Sequence, residues 1–153
     1  MKITEHFSIS EVEKSETAKR LGIDNTLPEK LIPNVKRVCE TLERIRALYN
    51  KPIMTTSFYR CEELNNKVGG SKTSAHVNGL ACDFTVKGKF PHETFRTILD
   101  AGIMFDQLIL EEDKSGGVWI HIGLEKEGEV PRQMVMFGKK DKNSSSFTRV
   151  ERG

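Results

Sequence analysis

Residues 74–83, Ser-Ala-His-Val-Asn-Gly-Leu-Ala-Cys-Asp, place two potential metal ligands where a polar loop meets an apolar strand. The alternation over residues 80–86 predicts a strand. Successive side chains of a strand point to opposite faces, so Asp83 lies on the face opposite to Cys82 and Phe84. A carboxylate in an apolar strand is costly unless it is paired or ligated. Asp83 therefore needs a partner.

His76 is the nearest candidate partner. It stands near the end of a segment rich in glycine, serine and threonine, residues 69–79, which predicts an ordered loop. Gly79 permits a tight backbone turn between His76 and the strand. This turn would bring the imidazole and the Asp83 carboxylate together.

A second histidine lies in another predicted strand, Val-Trp-Ile-His-Ile at residues 118–122. Alternation puts Trp119 and His121 on the face opposite to its three branched apolar residues. If this strand neighbours the one that carries Asp83, the three side chains form a His-Asp-His set. Zinc accepts two imidazoles and one carboxylate, and three protein ligands leave a fourth position for water.

Each of these residues also has an ordinary interpretation. A histidine in a strand is commonly a hydrogen-bonded core residue, and Asp83 could pair with Arg60 or with a lysine. Spacing alone leaves these alternatives open.

The rest of the chain predicts helices first and strands later, without a regular βαβ rhythm, which is typical of an α+β domain. Ser8 and Glu11 form a capping box, and the apolar stripe that follows Pro28 recurs at steps of three and four. The predicted helices are 8–21, 28–48, 62–68 and 91–101, and the predicted strands are 53–58, 80–86, 105–111, 118–122 and 133–137, with the third and fourth strands forming a hairpin.

Composition limits the class of protein. The 153 residues suit a single domain, 1–153, and 24 basic against 22 acidic residues argue against a dedicated nucleic-acid binder. The basic segment 139–142 leads into Asn-Ser-Ser-Ser and predicts a solvated loop, with a weak attraction to an anionic wall polymer as the alternative. We expect a monomer.

The cysteines and the N-terminus indicate where the chain is made. Cys39, Cys61 and Cys82 are scattered and odd in number, unlike a disulfide framework or a thiolate zinc site. Residues 1–6 lack the apolar region of a signal peptide, and no stretch reaches membrane-spanning length. The sequence predicts a chain made in the cytoplasm that acts on an external substrate only after release or export.

The motif Ser74-x-His76-x-x-Gly79-x-Ala81-x-Asp83, followed by Trp119-Ile120-His121, resembles the zinc D-Ala-D-Ala carboxypeptidase family. The resemblance covers residues 53–122. It implies the fold shared by these enzymes, the Hedgehog signalling domain and several bacteriophage endolysins, in which helices pack on a small, mainly antiparallel sheet. It also implies that His76, Asp83 and His121 bind one zinc ion.

Further residues follow from the resemblance. Ser57-Phe58-Tyr59-Arg60 is similar to a family segment whose arginine faces the substrate, which implies that role for Arg60 and a place for Tyr59 beside the site. The family's acid three residues before the last histidine is Val118 here. The segment 105–111 is instead similar to the branch whose glutamate closes the preceding strand, which implies that Glu111 is the general base.

Ser74 and Trp119 complete the candidate site, with Ser74 either bonded to a ligand or a plain turn residue. The implied activity is metal-assisted hydrolysis of bacterial wall peptide, as a D-Ala-D-Ala carboxypeptidase or a peptidoglycan endopeptidase, in the setting of a phage or prophage endolysin or of a wall-remodelling enzyme. The alternative is a non-hydrolytic, zinc-containing binding module of the same fold.

Overall fold

A six-stranded sheet carries both segments that supply the candidate ligands. The computed structural model describes residues 1–141 and 144–149. Its strands are β1 (Lys2–Thr4), β2 (Phe7–Ser8), β3 (Ile53–Ser57), β4 (Ala81–Val86), β5 (Gln107–Asp113), β6 (Val118–Gly123), β7 (Met134–Asp141) and β8 (Ser144–Arg149). Its α-helices are α1 (Ile9–Glu13), α2 (Glu16–Leu21), α3 (Ile32–Tyr49), α4 (Glu62–Lys67) and α5 (Pro91–Asp100).

The large sheet has the strand order β3-β4-β6-β5-β7-β8, and β1 and β2 pair separately. All its neighbours are antiparallel except β5 and β7, which are parallel. The predicted β5–β6 hairpin is confirmed, and so is the adjacency of β4 and β6. The described chain is thus a mixed structure of helices and one mainly antiparallel sheet.

The N-terminal helix is divided into two. Ser8 caps α1 by accepting a hydrogen bond from the Glu11 backbone N–H at 3.4 Å, as predicted. The chain then leaves the helical conformation at Lys14, and Ser15 caps α2. The expectation of one continuous helix was wrong because a second N-capping serine begins a new helix. Gly22 ends α2 in the left-handed conformation, where the helix end was predicted.

Helix α3 packs its predicted stripe into the core. Val35, Val38, Leu42 and Ile45 have no exposed surface, whereas Leu48 is 43% exposed. The apolar stripe therefore leaves the core before the helix ends. A 3-10 turn, Glu29–Leu31, precedes the helix, so the α-helix begins four residues after Pro28.

The C-terminal segment is a strand pair rather than the expected loop. Lys139 and Lys140 continue β7, and Ser146 pairs with Lys139 from β8. Residues 142–143, which belonged to the same prediction, lie outside the described residues. β7 pairs with β5 on one side and β8 on the other, so tertiary pairing satisfies backbone groups in a segment whose sequence is polar.

The three cysteines form no disulfide, in agreement with the prediction. Within residues 1–141 and 144–149, no helix combines the length and apolar character needed to cross a membrane.

Candidate metal centre

Asp83 and His121 face each other across neighbouring strands. They are register partners in the antiparallel pair β4–β6, and partners of such a pair project from the same face of the sheet. His121 Nδ1 lies 2.9 Å from Asp83 Oδ1. The apolar neighbours Cys82 and Ile120 are fully buried on the opposite face. Alternation predicted these faces, and the pairing supplies the contact.

His76 reaches the same carboxylate from a 3-10 turn, Ala75–Asn78, that precedes β4. Ser74 caps this turn by accepting a hydrogen bond from the His76 backbone N–H at 3.3 Å. Gly79 ends it with φ 67°, and a Cβ atom there would lie 2.8 Å from Val35 Cγ2. Both the positive φ and the close approach of α3 therefore require glycine.

The orientation of the His76 ring follows from its hydrogen bond. His76 Nδ1 lies 2.6 Å from the Phe58 carbonyl oxygen, which accepts only, so Nδ1 carries the proton in the neutral ring. The other nitrogen, Nε2, lies 3.2 Å from Asp83 Oδ1. Arg60 donates its backbone N–H to the His76 carbonyl at 3.2 Å, which holds the turn against the end of β3.

These contacts fit a metal ion. The neutral His76 ring presents an unprotonated Nε2 to a carboxylate oxygen, and two electron-pair donors this close repel unless a cation lies between them. One ligand atom from each of His76, Asp83 and His121 falls within 4.8 Å of the others. Two imidazole nitrogens and one carboxylate oxygen are the donor set that zinc binds tetrahedrally with one open position.

Burial strengthens this argument. It lowers the pKa of His76, which has 1% of its surface exposed. Burial alone would raise the pKa of Asp83, but the electrostatic and hydrogen-bonding interactions of its carboxylate with the His76 and His121 rings hold it well below its usual range. His121 has a raised pKa: burial acts to lower it, and the hydrogen bond and charge of Asp83 outweigh that effect. The site thus favours an ionised carboxylate beside a neutral His76.

Glu111 lies on the same face as the three candidate ligands. In the β5–β6 pair Ile109 is opposite His121, and Glu111, two residues on, is opposite Trp119. Burial and the nearby Asp83 charge raise the pKa of Glu111. The Trp119 indole N–H is buried and has no acceptor in hydrogen-bonding geometry among the described residues.

Arg60 also belongs to this site. Its side chain lines the cleft described below, and its Nη2 donates to Ser74 Oγ at 3.4 Å. Burial lowers the pKa of the guanidinium, against the opposing effect of Asp83 and Glu111. Its Nε has no hydrogen-bond partner among the described residues. Ser74 thus contacts both the His76 turn and Arg60.

The Tyr59 side chain lies outside the cleft that the neighbouring Arg60 lines. Its side chain is 6% exposed and packs in the hydrophobic core, and it is not among the residues that line the cleft. The Tyr59 backbone N–H donates a hydrogen bond to the Val12 carbonyl of α1 at 3.1 Å, which holds this residue against the core. Tyr59, which was expected beside the site, therefore does not line the cleft.

A cleft of about 1050 Å³ opens over the three candidate ligands. Glu111, Arg60 and Ser74 line it, and so do residues that the sequence did not single out: Asp106, Arg132, Met136, Lys140 and Phe147. Asp106 forms an ion pair with Arg132 at 2.7 Å. For Met136 and Lys140, a signal was available in the alternation Met134, Met136, Gly138, Lys140 along β7.

Two histidines and an aspartate that could hold one metal ion lie beside a half-buried glutamate in an open cleft, an arrangement typical of metal-dependent hydrolases. The model of the family described as Peptidase M15 matches residues 5–123. The chain therefore belongs to the M15 peptidases, a family of metallopeptidases that typically depend on zinc. None of the curated proteins matches the chain significantly.

Proposed function

We propose that this chain is a zinc peptidase that hydrolyses peptide bonds in the stem peptides or cross-links of bacterial peptidoglycan. The observation that carries the proposal is the convergence of His76 Nε2 and His121 Nδ1 on Asp83 Oδ1 at the base of a cleft that also contains Glu111. Membership of the M15 family supports peptide hydrolysis. The resemblance of residues 74–83 and 119–121 to D-Ala-D-Ala carboxypeptidases supports wall peptide as the substrate and the Hedgehog/DD-peptidase fold.

His76, Asp83 and His121 would hold the metal ion. When bound, zinc acts as a Lewis acid that polarises a carbonyl and brings the pKa of a water molecule to about 7. The Phe58 carbonyl fixes the ring of His76, and a hydrogen bond of this kind orients a ligand and increases its basicity.

Glu111 is the proposed proton carrier. The raised pKa of Glu111 lies closer to neutral pH than the pKa of an exposed glutamate, so its carboxylate can both accept and return a proton. It would take a proton from the attacking water and deliver it to the leaving amine. A partly buried carboxylate that still borders the cleft suits both steps.

Arg60 is the proposed electrostatic stabiliser. A guanidinium in a poorly solvated cleft would bind a substrate carboxylate through two hydrogen bonds, or would stabilise the negative oxygen that develops during attack. Its hydrogen bond to Ser74 links its position to the turn that carries His76.

We further propose that residues 1–153 form one peptidase domain that works as a monomer, either in a phage or prophage endolysin or in a wall-remodelling enzyme. A chain made in the cytoplasm would reach the wall after release or export. The paired acidic and basic side chains at the cleft, Asp106 with Arg132 and Glu125 with Arg37, favour a peptide substrate rather than a lipid.

The test uses the purified protein with one equivalent of zinc and with zinc removed. We expect the zinc-loaded protein to cleave defined muropeptides, and mass spectrometry of the products distinguishes release of terminal D-Ala from cleavage of an internal bond. Zinc-loaded protein that cleaves no muropeptide would contradict the proposal. Stoichiometric zinc binding without hydrolysis would favour the alternative, a binding module of the same fold.

A further inference from the structure

The β7–β8 hairpin forms one wall of the cleft, although it lies beyond the residues that match the family. The match ends at residue 123, whereas the hairpin begins at Met134. Met134, Met136, Lys140 and Phe147 all border the cleft. This part of the cleft is therefore supplied by residues outside the matched region.

The parallel pairing of β5 and β7 sets the hairpin against Glu111. Met136 is the partner of Ile109, and Gly138 is the partner of Glu111. A Cβ atom at Gly138 would lie 3.0 Å from the Phe147 ring and 3.2 Å from Glu111 Cγ. Glycine thus lets the Phe147 ring lie over β7 beside Glu111. Because 53% of Phe147 is exposed, an apolar surface remains open next to the proposed proton carrier.

Lys140 adds a cation at the next position of the same face. It lies two residues beyond Gly138, roughly 7 Å along the strand. Among residues 1–141 and 144–149, no carboxylate forms an ion pair with Lys140. Its register partner Asp113 accepts hydrogen bonds from Ser115 and Gly117 in its own turn.

Two other charged side chains at the cleft have ion-pair partners among the described residues, unlike Lys140. Arg132 is paired with Asp106, and Glu125 is paired with Arg37. Lys140 is half-buried beside an apolar ring, which suits a ligand that carries an anionic group next to an apolar one. A peptide with a free carboxylate close to its scissile bond has this chemistry.

We propose that the β7–β8 hairpin determines substrate specificity: Met136 and Phe147 contact an apolar part of the substrate peptide, and Lys140 binds a carboxylate of the same peptide. This inference rests on the proposed peptidase function. It identifies the substrate class as peptides with a free carboxylate within about one residue of the bond that is cut, because Lys140 is roughly 7 Å from the position level with Glu111.

The test compares two synthetic peptides that differ only in a carboxylate or a carboxamide at this position. We expect the zinc-loaded protein to prefer the carboxylate by about tenfold in kcat/KM, as a hydrogen bond to a charged group predicts. Lys140→Gln should remove the preference, so that the ratio of kcat/KM for the carboxylate peptide to that for the carboxamide peptide falls to about one. Lys139→Gln is the matched control, because Lys139 points to the other face of β7.

Phe147 is tested in the same way. Phe147→Ala should raise KM for both peptides, whereas Thr148→Ala, on the opposite face of β8, should not. If Lys140→Gln keeps the carboxylate preference, or Lys139→Gln loses it equally, the hairpin does not determine specificity.

Binding separates this inference from the proposed function. Trp119 is the only tryptophan of the sequence and is the register partner of Glu111, so we use its fluorescence as the probe of peptide binding. If no peptide is cleaved but binding of the carboxylate peptide weakens in Lys140→Gln alone, the hairpin proposal stands and the peptidase proposal fails. Equal binding of both peptides to the unmodified protein overturns the hairpin proposal.

Discussion

Asp83 and His121 are direct partners across the β4–β6 pair, with Asp83 Oδ1 2.9 Å from His121 Nδ1. A shift of one residue in this register would turn one of the two side chains into the core and dissolve the site. The register is held by the apolar face beneath, where Cys82, Phe84, Ile120 and Ile122 have no exposed surface. The β4–β6 register that buries these apolar side chains therefore also brings the candidate metal ligands together.

Metal removal should destabilise the protein. An ion that binds only the folded state at 100 times its dissociation constant adds about 2.7 kcal/mol to the free energy of unfolding. For a chain of this size, that corresponds to a fall in Tm of roughly 5–10 °C when a chelator is added. Differential scanning calorimetry with and without chelator measures the change.

His76→Ala provides the control for metal removal. This variant should lose bound zinc by elemental analysis, and its Tm should no longer respond to the chelator. His92→Ala, on the exposed start of α5, should respond like the unmodified protein. An unchanged chelator response in His76→Ala would rule His76 out as a ligand.

Glu111→Gln should keep the metal and lose activity. The amide has nearly the same shape but cannot take up a proton at neutral pH, and general acid–base catalysis contributes about 10²–10⁴-fold to rates. Steady-state hydrolysis of a muropeptide, with zinc content measured in parallel, checks both expectations. Glu112→Gln is the neighbouring control, since Glu112 is exposed and projects from the other face of β5.

Gly79→Ala should destabilise the protein more than Gly88→Ala. Both glycines have a positive φ, 67° and 76°, so both variants share the backbone strain. Only at Gly79 would the new Cβ meet a neighbour, Val35 Cγ2 at 2.8 Å, and overpacking a core typically costs about 1–3 kcal/mol. Urea unfolding of the two variants isolates this difference. Equal losses of unfolding free energy in the two variants would mean that α3 shifts to accommodate the added methyl group.

The Asp106–Arg132 pair should make a small, pH-dependent contribution to stability. The hydrogen bond from Arg132 holds the pKa of Asp106 below its usual value of 3.8. A lowered carboxyl pKa stabilises the folded state above the unfolded pKa, and this contribution is lost as the pH falls through the folded pKa. Because Arg132 is 55% exposed, we expect at most about 1 kcal/mol.

Urea unfolding of Arg132→Gln in chelator tests this dependence. The variant should be less stable than the unmodified protein at pH 6, and the difference should shrink as the pH falls below 3.8. Arg96→Gln, an exposed change on α5, should show no such trend. A constant difference between pH 6 and pH 3 would mean that Arg132 acts through packing.

Much of the site could be predicted from the chain because the relevant patterns are local. Alternation within residues 80–86 and 118–122 placed Asp83 and His121 on polar faces, and the hairpin turn put Glu111 near the second of these strands. The family membership predicted from residues 74–83 and 119–121 is confirmed. The roles of these side chains as zinc ligands and base stay predictions for the experiments above.

Other features were beyond local patterns. Tyr59 was expected beside the site, but its large, mainly apolar side chain is more stable in the core. Only the hydrogen bond from the Tyr59 backbone N–H to the Val12 carbonyl of α1 shows how this residue is held. The polar residues 139–141 were expected in a loop, and pairing with β5 and β8 overrides their low strand preference.

The sequence by itself determined the candidate residues. Side-chain type and short-range alternation pointed to His76, Asp83 and His121, and the family resemblance pointed to Glu111 and Arg60. The tertiary structure alone decided how they meet. Strand order, register and the parallel β5–β7 pairing depend on contacts between residues far apart in the chain, which no local pattern encodes. Those contacts bring a carboxylate within 3.2 Å of two imidazoles, and they place Lys140 and Phe147 in the wall of the same cleft.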